Sequence, residues 1–476
     1  MGTSINISPT AMTTGTHLLA FYAVDRVGNT HPVKQIRIIK QIDFATLPVA
    51  SYHGINNDDR ILTTRKYPHN YPNKQPPHVS FPNQLPVETR FKEIKEMGLN
   101  AIRINMFWEA HRWYKSDGKA STFLNKLEEI ASTADSLGLG ILYNVMHQWK
   151  ISSVIYSSSA QNYRGAGFPE ECLQPLGLVR LPPNDTSYVY DVPITEGGGE
   201  ASMPRSIFWK NFVKNYNITI DGVTKPIWQH LWDDHFKDVV AITKDHPSTI
   251  GYDLLNEPFE GVANVDANDY DGLGRYYAYI TSKILELDPK IAKCIFFTSP
   301  LSWRLDHRQI ESVYPDLKGK SWQYKQAELT KRLLLDKIVA TINNSNGRLK
   351  VAFAYNIYGW ATPSNSPYPT GYIHPNDLTL LDEFNRALVS NNNNDPIPKV
   401  ITEFNQSTAT IAFDPTTEPT TDTYVNGYLA HFKQKGYGWF YFNYDPNYPW
   451  TIKDSNYNDR WNSTRTMTFK QMLTHI

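Results

Sequence analysis

Two glutamates, Glu257 and Glu403, each end a short and mostly apolar run of the 476-residue chain. The runs are Ile250-Gly-Tyr-Asp-Leu-Leu-Asn-Glu-Pro258 and Lys399-Val-Ile-Thr-Glu-Phe404. Apolar runs of this length predict buried strands. A carboxylate at the end of such a strand is costly to bury unless it has a function there. Two of them on separate strands indicate a paired-carboxylate site, such as glycoside hydrolysis uses.

The elements that must position these glutamates alternate between strand and helix from about residue 48 onward. Strands are predicted at 49–56, 100–107, 139–146, 249–256, 292–298, 349–356, 398–403 and 437–443. Helices are predicted at 87–97, 121–137, 226–243, 269–287, 324–343, 378–390, 421–435 and 464–475. Eight strand–helix units in order predict an α/β fold, a closed (β/α)8 TIM barrel, in preference to an open doubly wound sheet. The long segments 148–224 and 299–323 predict βα loops that cover or wall the site.

The first 45 residues have a different pattern. Residues 17–24 and 33–39 predict two strands joined by a turn, which form a short β-hairpin. The pattern Tyr-Ala-Val-Asp-x-x-Gly-Asn resembles the last hairpin of an Ig-like surface module, but the segment is too short for a complete sandwich. We therefore predict a remnant of an Ig-like β-domain, or a linker, at 1–45 and a (β/α)8 catalytic domain at 46–476.

A barrel of this kind carries its active site at the carboxyl ends of its strands, so the residues at those ends are the site candidates. In strand order they are Arg103, His147 with Trp149, Asn256 with Glu257, Asn356 with Tyr358 and Trp360, Glu403, and Trp439 with Phe442. Arg103 and Asn105 lie two residues apart and therefore share a face of their strand.

This ordered set resembles glycoside hydrolase family 5, whose members are retaining β-glycosidases of clan A. The resemblance covers about 48–476. It rests on Leu-Leu-Asn-Glu-Pro and Ile-Thr-Glu-Phe, with Arg103 and His147 in the family's order. It implies that Glu257 is the general acid/base and that Glu403 is the nucleophile, with no metal or cofactor.

The resemblance also assigns substrate contacts. It implies that Asn256 hydrogen-bonds the sugar 2-hydroxyl, that Arg103 lies beside the nucleophile and that Tyr358 hydrogen-bonds the nucleophile. Two departures indicate a divergent member. Asn356 stands where the family commonly has His, and Phe442 stands where it usually has Trp. We expect substrate contacts from both, and also from His147, Trp149, Trp360 and Trp439.

The substrate is expected to be a β-linked polysaccharide or oligosaccharide, with β-1,4-glucan and endoglucanase action favoured. An endoglycoceramidase-like or glucosylceramidase-like activity is the alternative, since Trp108-Glu-Ala, His147-Gln, Gly167-Phe-Pro169 and Asn256-Glu-Pro-Phe-Glu-Gly261 resemble that branch. That branch usually carries a β-sandwich after the barrel, and this chain ends soon after the eighth predicted strand. β-Mannanase is a third alternative. A non-catalytic carbohydrate-binding barrel is the alternative from another class, disfavoured because both carboxylates, Arg103 and Tyr358 are present.

The amino-acid composition limits the kinds of molecule that the protein is expected to bind. The 47 basic and 47 acidic residues balance, which disfavours a nucleic-acid partner attracted by net charge. No apolar run is long enough to span a membrane. The 12 Trp, 29 Tyr and 21 Phe suit a cleft in which sugar rings stack. We expect a monomer located outside the cell or on its surface, although no signal peptide is visible after Met1.

Overall fold

The computed structural model describes the following residues: 15–24, 30–40, 42–59, 61–63, 84–116, 118–145, 168–169, 171–172, 211–256, 271–288, 294–298, 311, 314–320, 328, 332, 337, 350–359, 398–406, 429–442 and 444. Strands β1 (Gly15–Val24) and β2 (Thr30–Lys40) pair antiparallel, with a bulge between Phe21 and Ala23. The predicted hairpin strands are therefore confirmed, and their origin in an Ig-like domain stays a prediction.

The central element is a closed barrel of eight parallel strands. Its strands are β3 (His53–Asn56), β4 (Ala101–Asn105), β5 (Gly140–Asn144), β8 (Thr249–Asp253), β9 (Cys294–Thr298), β10 (Lys350–Gly359), β11 (Lys399–Gln406) and β12 (Gly438–Tyr441). They follow one another around the barrel in chain order, and β12 closes against β3. Each of the eight predicted strands is confirmed, as is the TIM barrel.

The helices of the described residues flank these strands. They are α1 (Val87–Glu96), α2 (Trp108–Ser116), α3 (Ala120–Leu137), α4 (Ile227–Leu231), α5 (Lys237–Thr243) and α6 (Gly272–Leu287). Three predicted helices match α1, α3 and α6, and residues 429–435 form the end of a fourth. The predicted helices 378–390 and 464–475 lie outside the described residues, as does most of 324–343. None of the described helices is long and apolar enough to cross a membrane.

Three local elements differ from the predictions. Helix α2 was not predicted, and a hairpin of β6 (Asn217–Ile220) and β7 (Val223–Pro226) occupies the end of the predicted loop 148–224. A π-helical turn at Trp232–Phe236 interrupts the predicted helix 226–243 between α4 and α5. Strands of four residues and single π turns are too short to leave a clear periodicity.

The strands alternate between two hydrophobic environments, as the period-two geometry of a strand requires. One cluster combines helix residues with Ile55, Ile102, Ile141 and Ile401, so it fills the layer between the barrel and the helices. A second cluster takes residues from seven different barrel strands and therefore lies inside the barrel; its strand members are Ala101, Leu142, Ile250, Phe296, Ala352, Ala354, Val400 and Phe440. Phe44 joins this cluster beside Gly140, the first residue of β5, and so closes the amino end of the barrel.

Candidate active site

The barrel interior changes from apolar to polar toward the carboxyl ends of its strands. Above the inner apolar cluster, the same strand faces present Asn56, Arg103, Asp253, Thr402 and Glu403, all of them buried. Buried polar groups of this kind are costly unless they are hydrogen-bonded to one another. The polar layer is therefore expected to form one connected network of hydrogen bonds, and Arg103 lies at its centre.

Arg103 donates five hydrogen bonds, as many as a guanidinium can make. Its Nε and Nη2 donate to Asp253 Oδ2 at 3.1 and 2.6 Å, and its Nη1 donates to Glu403 Oε1 at 2.8 Å. The remaining two bonds run from Nη1 to Asn56 Oδ1 at 2.9 Å and from Nη2 to Asn256 Oδ1 at 2.8 Å. Residues of three other strands or their ends, β3, β8 and β11, are thereby bound to this one side chain of β4.

Arg103 stays charged in this environment. Burial by itself would lower the pKa of Arg103, but the charges of Asp253 and Glu403 and their hydrogen bonds outweigh burial and raise that pKa above its ordinary value. The predicted proximity of Arg103 to Glu403 is confirmed by their 2.8 Å ion pair. The cation faces two carboxylates, whereas the sequence pointed only to Glu403.

Glu403 faces the interior because of a β-bulge in β11. Val400 belongs to the inner cluster and Ile401 to the outer one, so strict alternation would turn Glu403 outward with Ile401. The register shifts here against both neighbours: Tyr355 pairs with Ile401 and Asn356 with Glu403, while Ile401 pairs with Trp439 and Phe404 with Tyr441. The extra residue lets Thr402 and Glu403 both reach interior partners, and bulges commonly redirect side chains next to active sites.

Asn256 is held in one orientation by its amide oxygen. Asn256 Oδ1 accepts from Arg103 and also from Asn356 Nδ2 at 3.2 Å. Asn356 is fixed in turn, because its Oδ1 accepts from Thr402 Oγ1 at 2.9 Å. The Asn256 Nδ2 donors are therefore directed away from Arg103, as an amide that donates to a ligand requires.

Three residues of the network, Asn56, Asp253 and Thr402, were not among the predicted site residues. Asn56 Nδ2 donates to the backbone oxygens of Thr402 and Tyr441, which links β3 to β11 and β12. Asp253 is a charged residue within the apolar run that leads to Asn256. A charge in a predicted buried strand was the signal that could have identified Asp253 as a site residue. Asn56 ends the first strand of the barrel, and the strand-end criterion that selected Arg103 could have selected it as well.

The polar layer continues across the ends of β3, β4 and β5. Asn105 donates from Nδ2 to Asp58 Oδ1 at 2.6 Å and accepts from Asn144 Nδ2 at 2.7 Å. Asn105 and Arg103 share the inner face of β4, as the sequence predicted. The interior around Arg103 is therefore lined by amide and carboxylate groups on several strands.

Trp439 was wrongly predicted as a substrate contact. Its ring is 1% exposed, stacks on His53 at 5.2 Å and meets the Phe404 ring edge-on at 5.7 Å. These contacts lie in the outer cluster, because Phe440, the next residue of β12, is the one that faces inward. Phe442 is two residues beyond Phe440, past the end of β12, and continuation of the alternation would place it on the inner side.

Several predicted site residues cannot be placed against this geometry. Glu257, His147, Trp149 and Trp360 lie outside the described residues, and only the backbone of Tyr358 on β10 is described. Glu257 directly follows Asn256, whose side chain is part of the network. Among the described residues, no group of three His, Cys, Asp or Glu side chains could hold a metal ion.

Comparison with known proteins identifies the family. The family Cellulase (glycosyl hydrolase family 5) matches residues 66–448, which include both predicted catalytic glutamates. Two curated relatives are similar over part of their length: an endoglycoceramidase of Cyanea nozakii, 28% identical over 37% of this chain and 33% of the relative, and an endoglycoceramidase of Hydra vulgaris, 28% identical over 37% of this chain and 32% of the relative. The matches thus span about a third of these relatives.

A solved structure supports the fold. The crystal structure of an endogalactoceramidase superposes with a TM-score of 0.51 at 16% identity, covering 82% of this chain and 70% of that one. At this identity the likeness concerns the barrel architecture alone. The family match covers most of the chain and includes seven of the eight barrel strands, all except β3. The chain belongs to the cellulase family of glycoside hydrolases, glycosyl hydrolase family 5.

Proposed function

We propose that the chain hydrolyses β-glycosidic bonds with retention of anomeric configuration, with Glu403 as the nucleophile and Glu257 as the general acid/base. The observation that carries the proposal is the position of Glu403. This carboxylate lies on the inner side of β11, at the carboxyl end of the barrel, and is bound by a charged Arg103. A positively charged partner favours the ionised form of a carboxylate, which is the form that attacks.

The first step forms a glycosyl-enzyme ester. Glu403 attacks the anomeric carbon while Glu257 gives its proton to the departing oxygen, which leaves as an alcohol. Arg103 holds Glu403 through Oε1, so attack by Oε2 leaves that hydrogen bond intact. In the second step Glu257 takes a proton from water, the water oxygen attacks the anomeric carbon, and Glu403 is released.

Asn256 has a defined part in both steps. Arg103 and Asn356 bind its amide oxygen, and we propose that its Nδ2 donates to a sugar hydroxyl when substrate binds. A hydrogen bond to the 2-hydroxyl strengthens as the sugar becomes oxocarbenium-like, and such bonds contribute several kcal/mol to the transition state in glycosidases.

For the substrate, we propose a glycosphingolipid, cleaved between its oligosaccharide and its ceramide. Both curated relatives reported above are named endoglycoceramidases, and the blocks that resemble that branch include Asn256 and Glu257 of the proposed site. A β-1,4-glucan is the second candidate, supported by the name of the matched family and by the aromatic content. The predicted extracellular location and monomeric state remain predictions.

The test compares the purified chain on lactosylceramide in detergent micelles with carboxymethyl-cellulose, mannan and laminarin. Release of intact lactose and ceramide, detected by mass spectrometry, is expected to be the fastest reaction. Fastest release of reducing sugar from carboxymethyl-cellulose would establish the glucan instead.

The mechanism is tested with Glu403→Gln, which keeps the size of the side chain. Activity on the best substrate is expected to fall by at least about 10³-fold. Arg103 keeps Asp253 as a charged partner in this variant, so the variant should still fold and should unfold cooperatively on heating. That transition excludes loss of folding as the cause. NMR of the first product should show the β anomer, and an α anomer would exclude Glu403 as the nucleophile.

A further inference from the structure

Asp253 and Glu403 share one guanidinium. Asp253 Oδ2 accepts from Nε and Nη2 of Arg103, along one edge of the guanidinium, while Glu403 Oε1 accepts from Nη1. Asp253 is fully buried on the inner face of β8, three residues before Asn256. Its bond to Arg103, at 2.6 Å, is the shorter of the two ion pairs.

We propose that Asp253 is a positioning residue for the nucleophile, which fixes the orientation of Arg103 and offsets part of its charge. The proposal rests on the role of Glu403 proposed above. A guanidinium that donates hydrogen bonds to one carboxylate from both Nε and Nη2 cannot rotate about its long axis without breaking both bonds. The two hydrogen bonds to Asp253 thereby direct Nη1 toward Glu403 and the second Nη2 proton toward Asn256.

The charge of Asp253 also sets how strongly Arg103 acts on Glu403. A lone buried cation beside a carboxylate would make that carboxylate a weak base and therefore a weak nucleophile. A second carboxylate on the same cation opposes this effect, because it disfavours the ionised form of its neighbour. Arg103 thus keeps Glu403 ionised, and Asp253 keeps the ionised carboxylate reactive.

Other titratable groups face this cluster from the surrounding elements. In the described part of the barrel these are Arg103 on β4, Glu403 on β11 and Tyr276 on α6, whose hydroxyl donates to Leu254 O. Burial and, secondarily, the charge of Asp253 raise the pKa of Tyr276, so it stays neutral. Glu257 follows Asn256 outside the described residues, and its titration forms the other limb of the pH profile.

The test is the pH dependence of kcat/KM for Asp253→Asn, measured on the full chain with its best substrate. Removal of the negative charge favours ionised Glu403, so the acid limb should move to lower pH by roughly one unit. The loss of the grip on Arg103 should lower kcat about 10- to 100-fold, with a smaller change in KM. An acid limb that stays in place or moves to higher pH overturns the proposal.

The matched control is Asp59→Asn, which alters an equally buried carboxylate that pairs with Arg90 at 2.7 Å outside this network. It should lower stability and leave the acid limb unmoved. If Asp253→Asn does not fold, Asp253→Glu takes its place, because it keeps the charge and shifts the carboxylate that holds Nε and Nη2 of Arg103. It should lower kcat with an unmoved acid limb, and full kcat would overturn the proposal.

The two proposals fail differently. Activity retained by Glu403→Gln refutes the proposed nucleophile. An inactive Glu403→Gln combined with an unmoved acid limb in Asp253→Asn refutes only the positioning role.

Discussion

Replacing Arg103 with Met should remove about 4–5 kcal/mol from the free energy of unfolding at neutral pH. Arg103 is fully buried and pairs with Asp253 at 2.6 Å and Glu403 at 2.8 Å. Removing one partner of a buried ion pair costs about 3–5 kcal/mol, because the other charge is left uncompensated. Two carboxylates lose their cation here, so the upper end of that range applies. The loss would be a large part of a typical stability of about 5–15 kcal/mol.

A matched control is Arg90→Met. Arg90 is 1% exposed on α1 and pairs with a single carboxylate, that of Asp59, at 2.7 Å. Its replacement should cost less, about 3 kcal/mol, and should leave activity intact wherever the protein is folded. Arg103→Met should lose activity even when folded, because Glu403 and Asn256 lose their common donor.

Urea unfolding, followed by tryptophan fluorescence, measures both variants. The loss for Arg103→Met should shrink between neutral pH and about pH 4.5, since an uncompensated buried carboxylate can be relieved by protonation. A loss below about 1 kcal/mol at neutral pH, or a loss that grows on acidification, would refute the idea that the Arg103 cluster stabilises the fold through its charges.

Three further predictions concern other parts of the barrel. Gly54→Ala should lower the free energy of unfolding by about 1–3 kcal/mol in urea titrations, because a Cβ there would lie 2.5 Å from the Phe440 ring and 2.8 Å from Ala101 O. Thr402→Val should lower kcat/KM about tenfold, since Asn356 loses the 2.9 Å bond that helps to orient Asn256; unchanged kinetics would show that Asn356 needs no such support. Finally, His246→Gln should lower stability by about 0.5–1 kcal/mol near pH 5.5 and by less near pH 9. The hydrogen bond to Asp135 raises the pKa of His246 against the effect of burial. Burial would raise the pKa of Asp135, but hydrogen bonds from His246 and Ser248 lower it. The contribution of His246 to the free energy of unfolding is therefore full below its ordinary pKa of 6.5 and is lost as the pH rises through its raised pKa. The contribution of Asp135 is full above its ordinary pKa of 3.8 and is lost as the pH falls through its lowered pKa. An equal effect of His246→Gln at both pH values would show that the pair contributes no charge interaction.

The barrel was predictable because its strands leave strong local signals. Each of the eight is a short apolar run followed by a helical pattern. Eight such units in succession are compatible with few sheet topologies other than a closed barrel. Helix α2 and the β6–β7 hairpin were missed because both lie in segments that the eight-unit pattern left between its strands and helices. The hairpin did leave a local signal, since Ile218 and Ile220 alternate before the turn Asp221-Gly222. The face occupied by Trp439 was also missed, because a shift of one residue along a strand exchanges inside and outside.

The sequence by itself determined which residues end the strands, and therefore that Glu403 and Arg103 would meet at the same end of the barrel. Only the tertiary structure decided that Arg103 also binds Asp253, 150 residues away, since no local pattern encodes a contact at that separation. Only the tertiary structure decided the direction of Glu403 as well. Strand alternation would have turned this carboxylate outward, and the bulge at Thr402 and Glu403, set by the register of β11 against β10 and β12, turned it toward Arg103.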